Sequence, residues 1–90
     1  MVDQRTKGMH FRLRARAFII AERLNPKSRI VFVSADICFG TQSVRLGVVP
    51  KLQEKYGDLY TLDNVAISAI HTHSGPGGYR FVFFSCLQLL

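Results

Sequence analysis

Two apolar runs, set on either side of a segment with helical spacing, constrain this chain more than anything else in it. Arg29–Ala35 (RIVFVSA) and Val65–Ile70 (VAISAI) are dense in the β-branched and aromatic residues that suit strands. Between them, from Gln42 to Tyr56, Val44, Val48, Leu52 and Tyr56 (or Val49) recur at helical spacing, and Lys51, Gln53, Glu54 and Lys55 make the wet side. Thr41 stands where an N-cap belongs and Gly57 where a helix stops. A strand, a helix and a second strand joined by a crossover of this length form a βαβ unit, with parallel strands and a right-handed connection. The expected fold class is therefore α/β, with mostly parallel strands, in a partial, truncated domain. Pro50 is the discordant residue: inside a helix it removes a hydrogen bond at a cost of about 3 kcal/mol, and it should kink or shorten the element. Tyr56 and Tyr60 are expected in the core.

Upstream, Phe11, Leu13, Ala15 and Ala17 alternate with Arg12, Arg14 and Arg16, the pattern of a half-buried strand with a basic outer side. Ala17–Ala21 then turns apolar on both faces, as expected where a strand enters the covered middle of a sheet. Asn25-Pro26 breaks the chain before Arg29, and the Arg29–Ala35 strand, nearly continuous in Ile, Val and Phe, is expected to be buried on both faces.

The chemistry is sought just beyond the last strand, in His71-Thr72-His73-Ser74-Gly75-Pro76-Gly77-Gly78. Histidines at i and i+2 on extended backbone point to the same side, so two rings can approach one ion or one substrate atom. The Gly/Pro segment turns sharply and lets a ligand come close to bare backbone. A zinc site normally takes three or four protein ligands, so this stretch supplies at most part of one. The same histidines, taken alone, also read as polar residues ahead of a turn. Ligands in parallel sheets gather beyond the carboxyl ends of the strands, where Asp36 and the His71/His73 pair both fall. Asp36 reads equally well as a charge facing the dipole of the following helix.

The net charge of +6 lies entirely within residues 1–30. A basic end of this kind suits nucleic acid or an anionic membrane, but arginines interleaved with apolar residues read first as a solvated strand face. Cys38 and Cys86 are too few for a disulfide framework, and the sequence leaves their pairing open. The polar start, Met1 to Lys7, predicts no cleavable leader, and no run is long enough to span a bilayer. Tyr79–Leu90 is a greasy tail with one charge, an aggregation hazard at an exposed end, which reads as an interruption inside a larger protein.

These residues carry a family resemblance. The segments from Gly8 to Glu22, Arg29 to Asp36, Lys55 to Tyr60 and Asn64 to Ser68, leading into His71-Thr72-His73-Ser74-Gly75-Pro76-Gly77-Gly78-Tyr79, together resemble the N-terminal part of neutral (non-lysosomal) ceramidases over roughly residues 8–79. The resemblance implies a Zn²⁺-dependent amidase that hydrolyses the N-acyl bond of ceramide to sphingosine and a fatty acid. By position, His71 resembles the family's first zinc ligand, and His73 its catalytic neighbour facing the substrate. The implied partners are ceramide, a membrane surface, and the missing C-terminal part of the domain, with no nucleic acid. The family is largely secretory or membrane-associated. Its second His, its Glu and Tyr ligands and its active-site serine come from far downstream, so the ninety residues alone are expected to be inactive. Pro50 departs from the family pattern, as does the stretch from Arg80 onward, and the family's initial Gly-Tyr-Ala stretch is missing.

Other classes remain as readings. A metallo-hydrolase of the β-lactamase-like group also places His-x-His after a strand, but usually continues with Asp-His where Ser74-Gly75 stands here. A basic module would engage anionic lipid or nucleic acid through Arg12, Arg14, Arg16 and Arg29, with steep salt dependence. A truncated product without any role is the third.

Overall fold

The structure is a computed structural model that describes residues 5–77. Gly78, the apolar tail and Cys86 lie outside the described residues. The order is β1 (Ala15–Ala21), β2 (Arg29–Ala35), α1 (Gln42–Tyr56), a single 3₁₀ turn (Gly57–Leu59) and β3 (Val65–Ala69). The strands form one three-stranded sheet in the order β1-β2-β3.

The βαβ expectation holds for β2, α1 and β3, whose strands run parallel in a register that pairs Val31 with Val65 and Ala35 with Ala69. The sheet as a whole is mixed, because β1 runs antiparallel to β2, with Phe18 opposite Phe32. Mostly parallel strands were the expectation, and the short connection overturns it. The Asn25-Pro26 turn reverses the chain too quickly for a crossover, and Ser28 N–H donating to Asn25 O at 2.9 Å closes it.

α1 keeps the expected bounds. Thr41 Oγ1 accepts from Val44 N–H at 3.4 Å, and Gly57 takes a φ of 68°, a left-handed value that suits glycine. Pro50 lies within the helix without shortening it. Its ring is on the solvent side, as is Leu46, whose carbonyl loses the hydrogen bond and can turn to water. The inward stripe centres on Val49, which is 3% exposed and packs with Val31, Tyr60 and Val65. Tyr60 is core as expected, whereas Tyr56 is 47% exposed and edge-on to Tyr60 at 5.7 Å.

Among the described residues, only one face of the sheet is covered. Val31, Ala35 and Val65 are buried on the helix side, while Phe18, Ile20, Ile30 and Phe32 are exposed on the other. Burial of β2 on both faces and of β1 in the middle of the sheet is thus corrected: β1 is an edge strand, exposed along its whole length. One helix laid over two of three strands cannot cover more. Ahead of β3, Asn64 knits the turn, its Oδ1 accepting from Thr61 N–H at 2.7 Å and its Nδ2 donating to Leu59 O at 2.8 Å.

Candidate metal centre

Parallel pairing puts the carboxyl ends of β2 and β3 side by side, and two hydrogen bonds extend that alignment into the loops. Ile70 N–H donates to Ala35 O at 3.2 Å, and His71 N–H donates to Ile37 O at 3.1 Å. Gly40 brings the β2–α1 loop hard against β3, since a Cβ there would stand 2.8 Å from the Ile67 carbonyl oxygen.

His71 and His73 meet at this rim, with ring centroids 5.1 Å apart. Strand alternation does not bring them together, as β3 ends at Ala69 and His71 has a φ of 65°. The left-handed region costs a residue with a Cβ on the order of 1 kcal/mol, and such strain collects at functional sites. Phe39 steadies the first ring, edge to face at 5.1 Å. Both histidines are exposed, and among the described residues neither imidazole makes a hydrogen bond. The third member was not singled out from sequence as a donor: Cys38, buried, offers a sulfur that lies with one nitrogen of each ring in a group no wider than 4.8 Å. What marks it is the strand register, which the structure supplies and the sequence does not. Cys38 follows Ala35 by three residues and His71 follows Ala69 by two, and those alanines are paired.

Thiolate and imidazole are the donor set zinc prefers, and donors around tetrahedral zinc stand about 3.3–3.6 Å apart, so small side-chain rotations would close this group on an ion. The residues therefore fit the metal that the family resemblance implies.

Asp36 lies beyond the same strand end but faces the other way. Its Oδ2 accepts from Arg14 N–H at 2.9 Å and its Oδ1 from the Arg16 guanidinium at 3.1 Å. The backbone bond from Arg14, then the bond and charge of Arg16, hold its carboxyl below the usual carboxylate range, against burial, which acts to raise it. It thus ties the chain ahead of β1 to the end of β2, and belongs neither to the histidine group nor to the α1 terminus. The arginine row is correspondingly broken up. Arg16 is held by Asp36, and Arg29 donates to Pro26 O at 2.6 Å and Tyr60 Oη at 3.2 Å with its guanidinium over the Tyr60 ring.

Fold and rim together define a mixed α/β segment with a candidate metal centre at the carboxyl edge of its sheet. The sequence pattern described as "Neutral/alkaline non-lysosomal ceramidase, N-terminal" matches residues 1–88. Neutral ceramidase 2 of Arabidopsis thaliana is 57% identical over 77 residues, which are 86% of this chain and 10% of the relative. The neutral ceramidase of Pseudomonas aeruginosa is 44% identical over 89 residues, 99% of this chain and 13% of the relative. Among solved structures, "Ceramidase complexed with C2" superimposes with a TM-score of 0.77 at 45% identity, covering 84% of this chain and 12% of that one. This chain belongs to the neutral/alkaline non-lysosomal ceramidase family, and it spans roughly a tenth of the length of the relatives it matches.

Proposed function

We propose that this segment contributes the first metal ligand, His71, and a substrate-facing imidazole, His73, to a zinc-dependent amidase that hydrolyses the N-acyl bond of ceramide. The observation that carries the reading is the pair of exposed rings at the joined ends of β2 and β3, one of them on strained backbone, in a chain of the ceramidase family. Bound zinc would polarise the amide carbonyl and make a water nucleophilic near neutral pH.

The chain's own contribution is placement. The hydrogen bond from His71 N–H to Ile37 O fixes the backbone of the ligand, and Phe39 limits rotation of its ring. His73, on the same rim, can accept or donate one proton at a ring nitrogen, the role of a group that holds the substrate carbonyl or hands a proton to the leaving amine. His71, His73 and Cys38 alone do not supply the substrate pocket, so the ninety residues by themselves are inactive in this reading, and the rest of the domain is the required partner. A membrane surface is where an amide with long acyl chains would be met.

The test is to join this segment to the remainder of a homologous ceramidase and measure ceramide hydrolysis with His71 intact or replaced by Ala. His71→Ala should lower kcat/KM by at least about a hundredfold, since even groups one shell removed from a metal are worth 10–100-fold. Equal activity in the two proteins would end the assignment.

A further inference from the structure

We propose that Cys38 is a third donor which, with His71 and His73, lets this segment bind a thiophilic divalent cation such as zinc by itself. The inference shares His71 and His73 with the function proposed above, but not its activity. Its independent basis is the sulfur, which no histidine pattern calls for.

Three features place it there. Cys38 and His71 leave adjacent parallel strands within one residue of the same distance from a register pair, Ala35 and Ala69. The His71 N–H bond to Ile37 O joins the two loops at the residue next to Cys38. The sulfur is buried while the imidazoles are exposed, so an ion would be held from beneath by sulfur and from the rim by nitrogen, with its outer side open to water or to a further ligand. Softness sets the preference: a thiolate beside two imidazoles selects zinc, cobalt or copper over magnesium or calcium. In a complete site the second imidazole would face substrate; in this segment it closes the donor set.

The experiment titrates the ninety-residue chain, reduced and metal-free, with cobalt(II), following absorption and competition with zinc. One equivalent should bind with a thiolate-to-cobalt charge-transfer band in the near ultraviolet, displaced by zinc and not by magnesium. Cys38→Ser should lose that band and about tenfold or more in affinity, because a direct ligand outweighs an outer-shell group. Cys86→Ser should keep both. Circular dichroism establishes that the variants are folded, and if Cys38→Ser is not, the wild-type and Cys86→Ser spectra decide. Cobalt bound through nitrogen alone, with no charge-transfer band, overturns the proposal while leaving His71 as a ligand. No binding, or a band lost in Cys86→Ser, overturns it as well.

Discussion

Asp36 and the His71/His73 pair lie beyond the ends of neighbouring strands, yet they are opposite kinds of polar residue. The carboxylate is 8% exposed and takes hydrogen bonds from Arg14 N–H and the Arg16 guanidinium. The imidazoles are exposed, 5.1 Å apart, and without a hydrogen bond among the described residues. A buried charge must be satisfied, and Asp36, once satisfied, has little capacity left for a ligand. The histidines keep their capacity, and one of them, His71, lies on left-handed backbone. Position at the strand end is shared, so it does not distinguish the two; saturation of hydrogen-bonding capacity does.

Substitutions can break that contrast. The largest effect expected is the loss of hydrolysis in the fused protein on His71→Ala, with a thermal midpoint near that of the parent, because the exposed ring contributes little burial. A large fall in the midpoint would make His71 a structural residue. Next comes Gly40→Ala, which sets a Cβ against the Ile67 carbonyl oxygen and should cost about 1–3 kcal/mol in denaturant unfolding, with weakened cobalt binding, since the loop that carries Cys38 must shift.

Asp36→Asn tests the other side. The folded-state pKa of Asp36 is depressed, so its stabilisation is fully present above the unfolded-state value of about 3.9 and is lost as pH falls through the folded value. Wild-type stability should decline with acid below about pH 4 more steeply than that of Asp36→Asn, which should be less stable at neutral pH while binding cobalt unchanged. Superimposable pH profiles would remove the clamp. The smallest effect, and the control, is Gly47→Ala on the open side of α1, where a Cβ meets nothing within 4 Å. It should add about 0.5–1 kcal/mol and leave metal binding untouched.

Much of the scaffold was legible locally. Arg29–Ala35 and Gln42–Tyr56 are where β-branched density and helical spacing put them, and Thr41 and Gly57 end the helix by side-chain and backbone rules that need no distant contact. Pairing was less legible. β1 and β2 are similar apolar strands, and only the brevity of their connection makes them antiparallel. The open face with Phe18, Ile20, Ile30 and Phe32 could not be read from hydropathy either, since the same apolar residues would serve a covered face.

At the rim, the sequence by itself determined the histidine pair, its glycine-rich turn and the family these belong to, because residue type and short spacing are carried by consecutive positions. Tertiary structure alone decided that Asp36 turns to Arg14 and Arg16, that Cys38 joins the histidines, and that His71 reaches them on left-handed backbone. Those outcomes depend on the register of two strands some thirty residues apart, and register is fixed by packing, which no local window contains.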